Sequence, residues 1–415
     1  MTRVLFISHD GALDPLGGSQ VVPYACELAV GGADMTLLTF EKPARWRDRA
    51  VRERMAQRLR QAGVRWLPLR YHRWPPVAST AVDVARAVAV GLTAARRHRV
   101  EVLHARGYVA AAIALGIRQG HDAAFVFDMR GFWVDEREEG GLWPAGGWRA
   151  RSARRFEARA LAAADAVVTL TERSRLTLQT EPPLRGRSTV VRVIPTCVDL
   201  DRFQPAPEAP ALWSFIYAGS AGTCYQLDRA AAFVAVVARR HPEARLTVLT
   251  PDRGPAEAAV RAAGLEPQRV CYATARHDEV PCWLQGHAVG LAWYRDGRSR
   301  QACCPTKIGE SLACGLPVVV SAGVGDTDAW LAQERAGVVV QDGSDAAVAA
   351  GTEALERLLV AGGDVRARCR EVAARRFGLT EGVQAYGAVY RAAVAAHGLA
   401  AEAFMPGVTY AVHGS

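Results

Sequence analysis

The strand–helix alternation of this chain stops near residue 195 and then starts again, and that restart limits what the chain can fold into. The first run predicts strands at 4–7, 35–40, 64–67, 102–104, 124–127 and 166–170. Between them lie predicted helices at 20–30, 47–62, 80–97, 108–118 and 148–163. The loop GALDPLGGSQ and the stretch DMRGFWVDEREEGGLWPAGG read as irregular. A segment holding Pro195, Pro205, Pro207 and Pro210 has no periodic pattern and reads as a linker. The second run predicts strands at 215–218, 245–249, 270–272, 288–292, 317–321 and 337–340. Its helices fall at 228–240, 255–263, 278–284 and 307–313, and helices at 345–360, 364–375 and 381–397 close the chain. Parallel strands need long crossovers, so each run predicts an α/β doubly wound sheet. The chain is therefore expected to form two Rossmann-like domains, 1–195 and 196–378. Residues 379–415 supply a helix returning to the first domain and a loosely held tail, FMPGVTYAVHGS. Ligands of such sheets bind beyond the carboxyl ends of the strands, so the site is expected in the cleft between the halves.

Half of the 415 residues are hydrophobic, enough for two cores. No run of ~18 uncharged apolar residues occurs, so no membrane-spanning helix is expected. The opening MTRVLFISHDG lacks the long apolar core of an export signal. The nine cysteines are irregularly spaced with no C-x-x-C pair, which points to free thiols in a reducing compartment. The net charge of +9 is unevenly placed: residues 1–200 carry +10 and residues 201–415 carry −1. Residues 44–74 alone hold ten Arg against Asp48 and Glu53. Within the predicted helix, Arg47, Arg54 and Arg58 fall near one face, and Val51, Met55 and Leu59 form an apolar stripe. That helix is either a solvated element packing its stripe on the sheet or a contact with an anionic surface such as lipid headgroups. No nucleic-acid recognition module is visible.

Arginine is the default base here. Only Lys42 and Lys307 are lysine, so a retained lysine draws attention to PTKIGESLACGLPVVVSAGVGD at 305–326. Thr306 is placed to cap a helix starting near Lys307, and a diphosphate at that end would meet backbone donors and the ammonium. Glu310, one turn on, shares a face with Lys307, and its carboxylate suits the two hydroxyls of a ribose. The alternative is an ordinary surface Lys–Glu pair. Gly17 and Gly18 follow the first strand, where glycine lets backbone approach a phosphate, though Gly-Gly is also common in turns. His104, Arg106, Asp128 and Arg130 lie at or beyond the ends of successive strands, with Trp133 and Asp135 close behind. Such a mixture suits a sugar acceptor; the alternatives are a structural Asp128–Arg130 ion pair and a core histidine. The D-x-D patterns at Asp199–Asp201 and Asp326–Asp328 are too short to argue for a metal, and no metal is assigned.

PTKIGESLACGLPVV resembles the donor-binding segment of the retaining glycosyltransferases of family 4 (group 1), which have the GT-B fold. GGSQ, ADAVVTLTE at 164–172, VIPTCVDLDRFQP at 193–205, FIYAGSAG at 215–222 and DEVPCWLQGHAVGLAWYR at 278–295 match in the family's order. The resemblance implies an acceptor-binding N-terminal half and a C-terminal half that binds a nucleotide-diphosphate sugar, used as co-substrate without metal or other cofactor. It implies hexosyl transfer with retention to a glycan or lipid-linked acceptor, in making cell-surface polysaccharide or glycoconjugate. It also implies a cytoplasmic enzyme, peripheral at the inner face of the membrane through Arg47, Arg54 and Arg58. Gly17, Gly18, Ser220, Thr306, Lys307, Ile308 and Glu310 then become donor contacts. His104, Arg106, Asp128 and Arg130 become catalytic candidates, and Trp133 and Asp135 acceptor contacts. Glu310 matches the second glutamate of a pair; Ala302 stands at the first. Ser220 and Tyr225 belong to the loop where the family carries an Arg and a Lys. Two other classes share the outline: a non-hydrolysing sugar-nucleotide epimerase and a non-catalytic sugar-nucleotide sensor.

Overall fold

A computed structural model describes residues 1–398 apart from 75, 223, 277 and 361–363; the expected tail FMPGVTYAVHGS lies outside the described residues. The first sheet contains β1 (Arg3–Ser8), β2 (Asp34–Glu41), β3 (Arg65–Arg70), β4 (Val102–Arg106), β5 (Ala124–Asp128), β6 (Ala166–Thr169) and β7 (Val190–Val193). Its order is β3-β2-β1-β4-β5-β6-β7. The second contains β8 (Ser214–Ala218), β9 (Arg245–Leu249), β10 (Val270–Ala273), β11 (Val289–Ala292), β12 (Val318–Ser321) and β13 (Gly337–Val340), in the order β10-β9-β8-β11-β12-β13. Neighbouring strands pair in parallel, including β1 with β4 and β8 with β11. Those two pairs are where each strand order reverses, the crevice at which open α/β sheets bind ligands. The expected pair of Rossmann-like sheets is present.

The strands read as continuous apolar runs because both faces are covered. Along β1, Leu5 and Ile7 enter one core and Val4 and Phe6 the other. The second core also receives Tyr386, Val389 and Tyr390 from the helix Leu379–His397, so this helix packs on the first sheet. The chain crosses between the halves at two adjacent points: the Val198 amide donates to the Phe377 carbonyl at 2.8 Å. The helix Pro76–Arg97 includes a stretch, Ala78–Arg97, long and apolar enough to span a membrane by length and composition. It packs within the N-terminal half: Ala87 and Ala95 are fully buried, and Asp83 accepts hydrogen bonds from the backbone and ring of His72.

Several elements differ from expectation. The predicted loop after β1 contains a short helix, Pro15–Gln20, started by its proline, so Gly17 and Gly18 are helical. The predicted helix at 47–62 is two helices, Pro43–Arg47 and Arg49–Gln61. Asp48 breaks them and caps the second by accepting from the Val51 amide at 3.0 Å. Arg47 therefore sits on a different helix from Arg54 and Arg58. Of the stripe, Leu59 is buried, while Val51 and Met55 are half-buried. The helices Trp133–Glu139 and Glu172–Thr180 and strand β7 have short or weakly periodic sequences and were not anticipated.

The halves are held by polar contacts. Asp326 reaches from the C-terminal half to the helix Glu172–Thr180 and accepts from the amides of Glu172 and Arg173 at 2.7 and 3.1 Å. A carboxylate at a helix N-terminus satisfies orphan donors and meets the positive end of the dipole. Nearby, Arg298 pairs with Glu181, Glu139 accepts from the Ser299 amide at 3.1 Å, and the Thr171 hydroxyl donates to the Gln301 carbonyl at 2.6 Å. Thus one D-x-D pattern supplies an interdomain cap. In the other, Asp199 accepts from the amides of Asp201 and Arg202 in a local turn. Replacing Asp326 by Ala is expected to cost about 1 kcal/mol in urea unfolding and to enlarge the radius of gyration in small-angle scattering. An unchanged scattering curve would show that this cap does not hold the halves together.

Candidate active site

A cavity of ≈350 Å³ lies between the halves at the two strand-order reversals. The N-terminal half contributes Asp10 after β1, Arg106 at the end of β4, and Arg130 and Phe132 after β5. The C-terminal half contributes Tyr225, Tyr294, Arg295, Arg300 and Thr306. A second cavity, ≈410 Å³, sits at the hinge by Pro195 and Gly378. The cleft cavity is the better candidate because several charged and aromatic side chains from both halves converge on it.

The helix Thr306–Ala313 buries Ile308, Gly309, Ser311, Leu312 and Ala313 in the second domain. Lys307 and Glu310 stand off that core face. The helix begins at Thr306, not beyond it, so Thr306 is its first residue and Pro305 occupies the cap position. Proline offers no capping side chain, and the opening turn is left without a side-chain acceptor. The Lys307 ammonium is sealed from solvent and has no hydrogen-bond partner among the described residues. Rings surround it: Nζ lies 4.2 Å from the centre of Tyr225, 4.6 Å from Tyr217 and 5.7 Å from Tyr294. Ring faces attract a cation but satisfy none of its three donors. Burial lowers its pKa to about 8, against opposing pulls from Cys224, Cys303 and Glu310. Gly219 makes the close approach possible. At φ +141, a Cβ there would lie 2.7 Å from the Lys307 Nζ. Burial raises Glu310 to about 7, despite Arg202 and Lys307.

Tyr225, Tyr294 and Thr306 line the cavity, whereas Lys307 and Glu310 themselves do not. The N-terminal wall is built on Asp128, which is fully buried. Its carboxylate accepts from the Tyr386 hydroxyl at 2.8 Å and from Arg106 at 3.3 Å, and it lies 3.6 Å from Arg130. His104, also fully buried, stacks on Phe6 at 4.0 Å, bonds Tyr390 at 2.8 Å and lies 3.5 Å from Asp128. Burial lowers the His104 pKa. Burial would raise the Asp128 carboxyl, but Arg130, the His104 hydrogen bond and Arg106 outweigh it and hold it well below the usual range. His104 and Asp128 thus tie the strand ends to the closing helix, while Arg106 and Arg130 reach the cavity.

The remaining candidates divide. Gly17 is buried, and any Cβ would collide with the Gly11 carbonyl; helix packing explains it, and the cavity is lined instead by Leu16 and Gln20. Gly18 is half-buried beside it. Ile308 is a core residue, so only its backbone is available to a ligand. Ser220 is exposed, and its carbonyl accepts from the Tyr217 hydroxyl at 2.7 Å. Trp133 packs edge-on against Trp143 at 5.0 Å, and Asp135 is paired with Arg154 at 3.1 Å. Their neighbours Phe132 and Glu136 line the cavity instead. Sequence reasoning missed Asp10, Glu136, Tyr294, Arg295 and Arg300, whose surrounding residues carry no distinctive spacing. Ala302 is fully buried beside the cavity. Among the described residues no group of three or more His, Cys, Asp or Glu is placed to hold a metal ion.

Residues 17–197 match the model of the glycosyl transferase 4-like domain, and residues 215–359 match that of glycosyl transferases group 1. No curated protein matches the chain by sequence. Among solved structures, sucrose-phosphate synthase from Thermosynechococcus elongatus is similar with a TM-score of 0.70 at 16% identity, over 95% of this chain and 100% of that one. A glycosyltransferase from Rickettsia africae gives 0.67 at 12% identity, over 95% and 98%. HepE of Anabaena, in complex with UDP and glucose, gives 0.61 at 15% identity, over 94% and 99%. These likenesses show the GT-B fold. With a glycosyl transferase 4-like domain followed by a group 1 domain on that frame, the chain is a group 1 glycosyltransferase.

Proposed function

We propose that the protein transfers a hexosyl group, with retention, from a nucleotide-diphosphate sugar to a glycan or lipid-linked acceptor, as the retaining enzymes of family 4 do. The observation that carries the donor site is the sealed, unpartnered Lys307 ammonium at an uncapped helix start, with Glu310 one turn on. A leaving diphosphate develops the largest charge in such a reaction, and preorganised donors stabilise it there. Lys307 and the first amides of its helix take that role, and the Glu310 carboxylate accepts the ribose hydroxyls. The binding of UDP by HepE supports a nucleoside diphosphate as leaving group. The acceptor hydroxyl attacks the face that the diphosphate leaves, and a donor phosphate oxygen takes its proton. Ala302 offers the transferred sugar no carboxylate; Asp10 and Glu136 are the carboxylates on the lining. The protein acts in cell-surface polysaccharide or glycoconjugate synthesis at the cytoplasmic face of the membrane, without a metal.

Incubation with a panel of nucleotide sugars and membrane extract tests this. Nucleoside diphosphate should be released only with acceptor, and the product anomer, read by NMR, should match the donor. Sugar interconversion without acceptor would mean an epimerase, and binding without release a sensor. Lys307→Gln and Glu310→Gln should each weaken donor binding about tenfold or more, the loss of a charge-assisted bond worth ~1.5–3 kcal/mol; unchanged affinity would place the donor elsewhere.

The pH dependence has a fixed sign. Glu310, at about 7, must be ionised to accept hydroxyls, so donor affinity should fall as pH drops below about 7. Lys307, at about 8, must be protonated, so affinity should fall as pH rises above about 8. Calorimetric titration across this range reads both limbs, and a flat profile would contradict both roles.

Arg47, Arg54 and Arg58 are all exposed, as is Trp74 at 82%. Anionic headgroups would contribute ~1 kcal/mol per arginine near the surface. In liposome flotation, wild type should bind anionic vesicles and the triple Arg→Ser variant should bind them about a hundredfold less. Equal binding to neutral and anionic vesicles would exclude the electrostatic contact.

A further inference from the structure

We infer that Arg106 and Arg130 form a phosphate subsite for the acceptor, on the N-terminal wall of the cavity. The inference rests on the donor reading above, because it assigns the N-terminal wall to the second substrate.

The charge balance of this wall is the argument. Both arginines are well buried: Arg106 is 6% exposed, and the Arg130 side chain 13%. They share one carboxylate, Asp128, and neither makes another ion pair among the described residues. His104 is driven toward neutrality by burial and adds no charge. Within this cluster two permanent cations share one anion, which leaves the cluster itself with one excess positive charge, although Asp10 and Glu136 stand elsewhere on the same lining. Arginine cannot shed that charge, so an anion from outside is what it can take. Paired guanidiniums present parallel N–H donors that match phosphate oxygens in two-point contacts.

The backbone supports the same reading. Arg130 has φ +59, in the left-handed region that favours glycine, and Gly131 follows it at φ +135. Strain of this kind clusters where a side chain must be aimed. Arg130 also donates to the Ile194 carbonyl at 3.5 Å, which fixes it beside the hinge. The cavity's carboxylates, Asp10 and Glu136, make no ion pair among the described residues. They repel a phosphate from the rest of the N-terminal lining and suit the hydroxyls of a sugar. The acceptor class is therefore a phosphorylated one: a soluble sugar phosphate or a glycan carried on a lipid diphosphate.

The test fills the donor site first. Inorganic phosphate is titrated calorimetrically into protein saturated with its best-bound nucleoside diphosphate. One further phosphate should bind, at least tenfold more weakly in Arg106→Gln and Arg130→Gln, and unchanged in Lys307→Gln under the same saturation. Arg106→Lys and Arg130→Lys keep the ion pair with Asp128, lose the fork, and should give intermediate losses; they carry the test if the glutamine variants do not fold. No phosphate binding, competition with the nucleotide, or equal binding by the arginine variants would overturn the subsite. Failure of the donor reading looks different: no nucleoside diphosphate binds, or Lys307→Gln does not weaken it, while the arginine variants still report on phosphate. The source is read by glycosyl transfer to glucose 6-phosphate or to a polyprenyl diphosphate-linked sugar in phosphatidylcholine vesicles. Transfer to either that falls in the arginine variants supports the subsite; preference for unphosphorylated acceptors overturns it.

Discussion

The Asp128 carboxylate is the point on which the N-terminal half and its cavity wall depend. A buried, isolated carboxylate costs several kcal/mol after relaxation, so it persists only if its partners are held in place. Arg106 comes from the strand beside it, Arg130 from the loop after it, and Tyr386 from the closing helix more than 250 residues away. One charge therefore fixes three things together: the ends of β4 and β5, the docking of Leu379–His397, and the direction of two guanidiniums that reach the cleft. The ion pair anticipated from sequence as a structural alternative exists, and it also sets the geometry of the site.

The same economy applies where the halves meet. The cleft stays formed because polar groups of each half finish the hydrogen bonding of the other. Asp326 does so for the helix Glu172–Thr180, and Glu139 for the Ser299 amide. These bonds lie at the rim, where water can replace them, so breaking them costs little. The chain crossings at Val198 and Gly378 lie next to each other. Two adjacent crossings join the halves at one place, and the rim contacts supply further polar ties between them.

The fold was legible because buried parallel strands must be apolar on both faces, and helices between them must carry a stripe. Scarcity of one residue type drew attention to Lys307 against an arginine background, and the structure gives that lysine an unusual setting, a sealed ammonium among three tyrosine rings. The site was misread where the evidence was one residue out of phase. Trp133 and Asp135 are turned away, and Phe132 and Glu136 take their place, because the stretch read as irregular is a helix whose phase no periodicity revealed. Gly17 has a second explanation in the fold. Glycine signals close backbone approach, but the approaching backbone is Gly11 of the same chain. Tyr294 and Arg295 close the segment 278–295 that carries the resemblance, but nothing in the sequence marks them as lining a site, and Arg300 left no signal; their loop becomes a wall only through tertiary contacts such as the bridge between Tyr225 and Tyr294.

The two walls solve the problem of standing empty in different ways. On the C-terminal side, Lys307 and Glu310 have pKa values of about 8 and about 7, so near neutral pH each can lose its charge when no ligand is present. Neutralisation is the cheap response of a buried ionisable group without a partner. On the N-terminal side the cations are arginines, which cannot neutralise, and a permanent anion is built in behind them. An empty site is least strained when its charges can be shed or offset: Lys307 and Glu310 can shed theirs, Asp128 offsets one guanidinium charge, and one guanidinium charge remains. The box of tyrosines completes the arrangement: it attracts the Lys307 ammonium through ring faces without binding it in a hydrogen bond. Among the described residues Lys307 therefore has no ion pair for an anion to break, and its interaction energy remains available to one.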